Sequence, residues 1–300
     1  MKLWAVGALV INAFVWGVSW WPLRQLQSAG LHPLWSTAIV YCFAVLVVLS
    51  VKPKAWQGIL GHPQLWLLFL ASGLTNVGFN WAVSINDVVR VLILFYLMPA
   101  WAVLLAWLLL GERPTRSALM RLLLAFMGVM VVLLPAAIFT TSPTSATSTS
   151  QTISKLHFSF ADGLALMGGF CFAFTNVLLK KLNHTPSESR MLAMFGGGAM
   201  LATLAGAAGV TQGWISATPA ISSNWVFLAG GLSIAFLIGN MALQYGASRL
   251  RSSTTSVVML SEVAFGSLSA IALGAAVVDA RTLVGGLLII FAAALAAFDD

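Results

Sequence analysis

Long apolar runs alternate with short polar interruptions along almost the whole chain. A helix needs about 20 apolar residues to cross the hydrocarbon of a bilayer. Ten runs approach or reach this length, at 3–22, 33–51, 64–85, 90–110, 117–138, 158–179, 191–211, 225–246, 253–273 and 281–298. The interruptions have loop chemistry, as in the Lys-Pro-Lys string at 52–54. Because the runs are too long for membrane strands and do not alternate in polarity, we predict an all-α membrane protein with ten transmembrane helices.

The composition excludes several classes of protein. Apolar residues make up 60% of the 300 residues and charged residues only 8%, against about 25% charged residues in soluble domains. The mean hydropathy is +0.95. A soluble enzyme, a disordered regulator and a disulfide-stapled secreted domain are therefore excluded. The net charge of +7 would suggest nucleic acid in a soluble chain. Here the basic residues lie between apolar runs, so we expect the lipid bilayer as a partner and no nucleic acid.

Lysine and arginine are distributed unevenly between the two sets of loops. One side carries eleven of them: Lys2, Lys52, Lys54, Arg113, Arg116, Arg121, Lys180, Lys181, Arg190, Arg249 and Arg251. The other side carries four: Arg24, Arg90, Lys155 and Arg281. Because the side richer in basic residues faces the cytoplasm, we predict a multi-pass protein of the bacterial inner membrane with both termini in the cytoplasm.

A stretch rich in serine and threonine divides the chain near its midpoint. Eleven of the fifteen residues at 140–154 are Ser or Thr. Such a stretch cannot bury apolar surface, so we predict a flexible periplasmic linker at 140–156. It separates a first five-helix unit, 1–139, from a second, 157–300. A glycosylated or ligand-gating loop is the less favoured alternative.

The two units match each other when their spans are laid in order. The aligned pairs include Gly7 with Gly163, Trp16 with Phe172, Ser19 with Thr175, Trp20 with Asn176, Arg24 with Lys180, Asn80 with Asn240, and Gly111 with Gly274. The last pair places Pro99 opposite Glu262. Five is an odd number, so the second unit would enter the membrane from the opposite face. We therefore predict two inverted-topology repeats, an architecture typical of transporters with one site near the midplane.

Short strings in the chain resemble the drug/metabolite transporter superfamily, in particular its EamA-type group. They are Tyr96-Leu97-Met98-Pro99, the Gly111-Glu112 pair that ends span 4, and Gly128 in span 5. The Trp-rich first span and the Tyr-Leu-Met-Pro string are most similar to YddG-type exporters of aromatic amino acids. The resemblance implies a pathway among spans 1, 3, 4, 6, 8 and 9. The chain departs from the pattern at Gly274-Ala275, where Gly-Glu would be usual, and at Glu262.

Polar and aromatic residues inside the predicted helices fall on single helical faces. A polar side chain in the bilayer is costly unless it faces a partner or a water-filled cavity. We therefore predict a polar and aromatic cavity lined by spans 1, 3, 4, 6, 8 and 9, with spans 2, 5, 7 and 10 as a surrounding jacket. The candidate substrate-binding residues are Asn12, Trp16, Ser19, Trp20, Asn76, Asn80, Trp81, Ser84, Tyr96, Pro99, Trp101, Phe172, Thr175, Asn176, Asn240, Gln244, Tyr245, Met259 and Glu262.

The alternative for each amide or hydroxyl is a hydrogen bond between helices with no role in binding. For any single residue the two interpretations are about equally favoured. Their recurrence on matching faces of both units favours the cavity. We expect at least one of Asn80 and Asn240 to contact substrate or the water column.

Catalytic and cofactor motifs are absent from the sequence. The four histidines lie in loops or at span ends, and neither a His-Glu-x-x-His string nor a phosphate-binding loop occurs. We expect no enzyme activity, no cofactor and no metal. The predicted function is secondary transport by alternating access. The substrates would be small amphipathic metabolites, most of all aromatic and other neutral amino acids, and a monomer would suffice. A channel-like pathway, or a carrier for a different metabolite or drug, is the alternative.

Glu262 is the carboxylate that the span boundaries place near the middle of the bilayer. An ionised carboxylate there would be costly, so it should face water, find a cation or hold its proton. Two interpretations stay open: a group that couples transport to protons, and an inert acid bonded to a neighbour such as Ser261 or Thr255.

Overall fold

The structure is a computed structural model that describes residues 2–86, 88–133, 158–218, 223–275 and 280–299. Within these ranges the regular structure is entirely helical. The fourteen helices are α1 (Lys2–Val18), α2 (Trp20–Ser28), α3 (Pro33–Val51), α4 (Ala55–Gly61), α5 (Leu65–Ile85), α6 (Val88–Phe95), α7 (Met98–Leu110), α8 (Arg116–Leu133), α9 (Phe160–Lys181), α10 (Ser187–Thr211), α11 (Ser223–Ala247), α12 (Ser252–Met259), α13 (Ser261–Ala272) and α14 (Ala280–Asp299). The predicted linker at 140–156, and with it the boundary between the two units, lies outside the described residues.

Eight helical segments of the described chain are long and apolar enough to cross a membrane. They are Lys2–Ser28, Pro33–Val51, Leu65–Ile85, Arg90–Leu110, Phe160–Lys181, Ser187–Thr211, Asn224–Ala247 and Ser252–Ala272. They correspond to predicted spans 1 to 4 and 6 to 9. Helix α8 stands at the place of span 5, and α14, with a shorter apolar stretch at Leu283–Ala296, at the place of span 10.

Three of these spans are broken near or past their middle. Span 1 breaks at Ser19, between α1 and α2, and span 4 breaks before Met98, between α6 and α7. Both breaks lie two or three residues before a proline, Pro22 and Pro99, whose missing N–H leaves a carbonyl of the preceding turn without its helical partner. Span 9 breaks at Leu260 with no proline nearby. There the Leu260 N–H is shared between the carbonyls of Ser256 and Val257.

Close helix packing depends on glycine where backbones approach each other. A side chain at Gly197 in α10 would collide with the backbone oxygen of Phe69 in α5. A Cβ atom at Gly128 in α8 would lie 2.8 Å from the backbone oxygen of Gly285 in α14. Small residues at such contacts let membrane helices pack tightly by van der Waals contact. The α5–α10 and α8–α14 pairs are among the most extensive helix contacts of the described chain.

Candidate functional site

A cavity of about 800 Å³ lies between the helices of the two halves. Nine aromatic rings line it: Trp16, Trp20, Tyr41, Phe79, Phe95, Tyr96, Phe172, Phe195 and Phe236. Its polar lining consists of Ser19, Ser72, Thr75, Asn76, Asn80, Thr175, Asn240, Glu262 and Ser267. No Lys, Arg or His occurs among the described residues that line it. The cavity is thus mostly aromatic, with amides, hydroxyls and one carboxyl group.

Ten of the nineteen candidate residues line this cavity. They are Trp16, Ser19, Trp20, Asn76, Asn80, Tyr96, Phe172, Thr175, Asn240 and Glu262. They come from spans 1, 3, 4, 6, 8 and 9, the six spans from which the cavity was expected to be built. Three of the aligned pairs contribute both members: Trp16 with Phe172, Ser19 with Thr175, and Asn80 with Asn240.

The other nine candidates lie away from the cavity. They are Asn12, Trp81, Ser84, Pro99, Trp101, Asn176, Gln244, Tyr245 and Met259. Asn12 and Met259 are fully buried against each other, because the Asn12 amide nitrogen lies 3.2 Å from the Met259 sulfur between α1 and α12. Pro99 is buried in the first turn of α7, and Asn176 is buried in α9.

Two further candidates on α11 turn towards the end of the bundle. The Gln244 oxygen accepts a hydrogen bond from the buried Arg190 guanidinium at 3.1 Å, and its amide donates to Asn240 at 2.7 Å. Tyr245 is partly exposed, and the Arg249 guanidinium lies 3.8 Å from the centre of its ring. A cation over an aromatic face is a favourable contact that needs no ligand.

The remaining candidates of this group pack against aromatic neighbours or cap a helix end. Trp81 contacts Phe160 edge-to-face, with ring centroids 6.0 Å apart. Trp101 meets Phe170 in the same way at 5.7 Å. Ser84 donates to the Trp81 carbonyl one turn earlier. A polar or aromatic face on a helix therefore does not indicate whether the face meets the cavity, a neighbouring helix or the surface.

The expected jacket is wrong for three of its four helices. Tyr41 of α3, Met194 and Phe195 of α10, and Val132 of α8 all line the cavity. The Tyr41 hydroxyl donates to the Asn76 oxygen at 2.9 Å, so a residue of span 2 holds a cavity amide in place. A lone tyrosine inside an apolar span was the available signal for this helix, since a buried hydroxyl needs a partner.

The cavity amides are held by other protein groups. The Asn76 amide donates to the Ser72 carbonyl at 2.8 Å, and the Asn80 amide donates to the Thr37 hydroxyl at 2.5 Å. The Asn240 amide nitrogen lies 3.3 Å from the sulfur of Met194. Both interpretations of these residues therefore have a physical basis, because the same side chains bridge helices and line the cavity.

Glu262 stands where two broken spans meet. It lies in the first turn of α13, just after the break at Leu260, where the positive end of the helix dipole favours a carboxylate. The Tyr96 hydroxyl, at the break of span 4, lies beside its carboxyl group. Helix α1 passes so close that a Cβ atom at Gly17 would lie 2.6 Å from the Glu262 backbone oxygen.

At one end of the bundle, outside the cavity lining, a cluster of Glu112, Lys180 and the Ser252 backbone joins three helix ends, and we name this the clamped end. The Lys180 ammonium lies 2.5 Å from one Glu112 oxygen, and the Ser252 backbone N–H donates to the other at 3.1 Å. Glu112 thereby joins the ends of α7 and α9 to the start of α12. Next to Lys180 on the same side, Leu179 and Leu182 are both buried.

The opposite end of the cavity reaches the ends of its helices. There the lining includes Leu23, Val132 and Ala275, of which Ala275 is exposed, and we name this the open end. A second ion pair lies on this side of the bundle but outside the cavity lining. The Arg90 guanidinium binds the buried Asp162 carboxylate through two contacts of 2.7 Å, which tie the starts of α6 and α9 together.

Comparisons with known proteins agree with this arrangement. Residues 3–134 match the EamA-like transporter family. A protein of Vibrio cholerae serotype O1, described as an uncharacterized transporter, is 28% identical over 133 residues, or 42% of this chain and 44% of its own length. The chain thus matches less than half the length of this curated relative.

A solved crystal structure has a similar fold over nearly the whole chain. It has a TM-score of 0.76 and 15% sequence identity, and the match covers 97% of this chain and 96% of the other. Identity this low bears on the fold alone. The first half of the chain is therefore similar to the EamA-like transporter family, and the described chain has helices that could cross a membrane.

Proposed function

We propose that this chain is a carrier that moves small amphipathic metabolites across the inner membrane by alternating access, aromatic and other neutral amino acids first among them. The observation that carries the proposal is the cavity of about 800 Å³, which is clamped at one end and reaches the helix ends at the other. Pockets of about 300–1,000 Å³ hold drug-sized ligands. The nine rings offer stacking partners for an aromatic side chain, and the amides and hydroxyls offer polar contacts.

The proposal includes ten spans arranged as two inverted repeats, with α8 and α14 as spans 5 and 10. Aligning Gly111 with Gly274 also brings Leu97, at the break of span 4, onto Leu260, at the break of span 9. Both glycines end their helices in the left-handed region, with φ of 70° and 69°. Glycine adopts this conformation without the steric clash that a Cβ atom would cause, which is why it commonly ends a helix. Spans 4 and 9 thus break at aligned residues and end at aligned glycines, which supports a common origin for the two spans.

The contacts between helices support the same repeat. Span 3 packs on span 6 through α5 and α9, and the equivalent pair, spans 8 and 1, packs through α11 and α1. Span 4 packs on span 6 through α7 and α9, and its equivalent, span 9 on span 1, packs through α13 and α1. Two units that exchange equivalent contacts in this way can rock against each other around a fixed site.

The proposed orientation places both termini and the clamped end in the cytoplasm. It rests on the excess of Lys and Arg on that side of the bundle, where Lys180, Arg190 and Arg251 lie. Cysteine labelling within 140–154 tests it, since labelling of that segment only from the cytoplasmic side would reverse the assignment.

The function is tested with purified protein in liposomes and labelled phenylalanine or tryptophan. A carrier gives saturable uptake, with competition among substrates. The proposal fails if flux rises without saturation, as in a channel, or if neither compound crosses. The Glu112–Lys180 cluster supports the carrier, because it joins three helix ends on one side of the bundle, where the gate of a carrier would lie.

A further inference from the structure

We propose that Glu262 binds the ammonium group of the substrate, so that the cavity selects aromatic and other amphipathic amines and disfavours amphipathic acids. This inference rests on the proposed transport function and names its substrate class. It starts from the charge of the lining. Glu262 is the one lining side chain of the described residues that is an ordinary acid or base, and no Lys, Arg or His faces it across the cavity.

Glu262 has no protein cation to neutralise it within the described chain. The described acids that do form ion pairs are Asp162, with Arg90, and Glu112, with Lys180. The contacts of Glu262 are with the Tyr96 hydroxyl and with the backbone of α1 at Gly17. A carboxylate removed from bulk water needs a cation or strong hydrogen-bond donors. A positively charged ligand would supply what the protein does not.

The rings around Glu262 suit the same ligand. Trp16 precedes Gly17, the residue that touches the Glu262 backbone, and its indole stacks on Phe236 with centroids 4.5 Å apart. The Trp20 ring is held by α13, because its indole N–H donates at 2.9 Å to the hydroxyl of Ser269, two turns after Glu262. Aromatic faces attract ammonium groups and also stack on an aromatic body. A carboxylate flanked by rings is thus a receptor for an arylalkyl amine.

A substrate carboxylate finds no equivalent receptor. Asn76 and Asn80 each donate one amide hydrogen to another protein group, Ser72 or Thr37, and the Asn240 amide nitrogen lies beside the Met194 sulfur, so the lining offers a carboxylate neutral donors but no cation. A carboxylate entering the cavity would lose water without gaining a cation, and it would also be repelled by Glu262. Amino acids carry both groups, so we expect them to bind more weakly than the corresponding amines.

The test uses the full chain in nanodiscs and three probes of similar shape: phenethylamine, 3-phenylpropionate and the neutral 3-phenylpropanol. Binding is measured by calorimetry, with phenylalanine as a fourth ligand. We expect phenethylamine to bind about tenfold tighter than 3-phenylpropionate, the effect of one charge-assisted contact. Glu262→Gln should weaken phenethylamine about tenfold and leave 3-phenylpropanol unchanged. Glu188→Gln, at a partly exposed acid outside the cavity lining, is the matched control and should change neither.

The outcomes separate this inference from the proposed function. If phenylalanine or 3-phenylpropionate binds as tightly as phenethylamine, or if Glu262→Gln leaves the amine-to-alcohol ratio intact, the inference is overturned while transport of aromatic metabolites stands. If none of the four ligands binds or crosses in liposomes, the proposed function falls with it. If Glu262→Gln does not fold, the inference is tested by the ratio of phenethylamine affinity to 3-phenylpropanol affinity in the parent and in Tyr96→Phe. Tyr96→Phe removes the hydroxyl beside the carboxyl and is expected to lower the ratio by about threefold.

Discussion

The two ends of the cavity occupy equivalent positions of the proposed repeat, yet they differ in one carboxylate. At the clamped end, Glu112 follows the terminal glycine of span 4 and pairs with Lys180 of span 6. At the open end, the aligned positions are Ala275 and Arg24. The basic residue is present on both sides, but alanine cannot pair with it. The end that has the acid carries the ion pair, and the cavity lining reaches an exposed helix end, at Ala275, on the side that lacks it. We propose that the ion pair is what closes its end.

The Glu112–Lys180 ion pair is weak enough to form and break during transport. Lys180 and Glu112 retain 24% and 18% side-chain exposure. Ion pairs that water still reaches stabilise by about 0–1 kcal/mol. An interaction of this size biases two conformations without locking one of them, since states within a few kcal/mol of each other both remain populated. Asp162, at 1% exposure, is different, and its pair with Arg90 is expected to be structural.

Removing the buried acid should produce the largest effect. Asp162→Ala leaves Arg90 without its carboxylate and removes the capping box that Asp162 forms with Ser159 at the start of α9. We expect a loss of about 3 kcal/mol in stability, measured by thermal unfolding in detergent. Asp162→Asn, which keeps part of the cap, should lose less. Equal stability of parent and both variants would contradict a structural role.

Supplying the missing acid should close the open end. Ala275→Glu places a carboxylate at the position that aligns with Glu112, on the side that carries Arg24, the residue aligned with Lys180. We expect the labelling rate of a cysteine introduced at Leu23 to fall about fivefold, the effect of about 1 kcal/mol, in a background without Cys42 and Cys171. Ala275→Gln has the size without the charge and should leave the rate unchanged. An equal fall with both variants would mean steric blocking.

Removing the clamp should have a somewhat smaller effect. Glu112→Gln loses the charge attraction to Lys180, but its amide oxygen can still accept from the Ser252 N–H. We expect a cysteine at Leu179, which is buried behind the clamp, to be labelled about threefold faster. Glu188→Gln serves as the control on the same side. No change in labelling would show that packing, and not the ion pair, closes this end.

The smallest change in stability is expected for the cavity amides. Asn80→Leu and Asn240→Leu each remove one contact, to Thr37 or to Met194. Hydrogen bonds between membrane helices average about 0.6 kcal/mol, equivalent to about threefold. We expect uptake to fall by a larger factor than this stability loss explains for at least one of them. Parallel losses of unfolding temperature and uptake for both would assign them to helix packing alone.

Eight of the ten predicted spans correspond to long apolar helical segments, and the ten candidate residues that line the cavity divide equally between broken and unbroken spans. Pro99 has a direct physical effect on its helix, so the break of span 4 could be anticipated. Span 9 breaks at Leu260 without a proline, and nothing local in the sequence indicates it. Ser19 and Thr175, an aligned pair of the proposed repeat, both line the cavity, as expected from their matching helical faces.

Where a candidate residue does not line the cavity, the reason is the neighbouring helix that packs against it, which helical periodicity does not indicate. Asn12 lies on the same face as Trp16, yet one turn lower that face meets Met259 instead of the cavity. Tyr41 was missed for the opposite reason, because a single polar group in an apolar span forms no stripe. Helical periodicity gives the direction of a side chain, but only tertiary packing decides what lies there.

Moving the carboxylate from one end of the cavity to the other tests most directly whether it decides which end is open. The double variant Glu112→Gln with Ala275→Glu removes the carboxylate from one end and supplies it to the other. In liposomes of known orientation, a cysteine at Leu23 and one at Leu179 are labelled by a membrane-impermeant reagent from each side. The account predicts that Leu23→Cys becomes protected and Leu179→Cys becomes accessible, each by several-fold. A labelling pattern identical to that of the parent would contradict the claim that one carboxylate decides which end of the cavity is open.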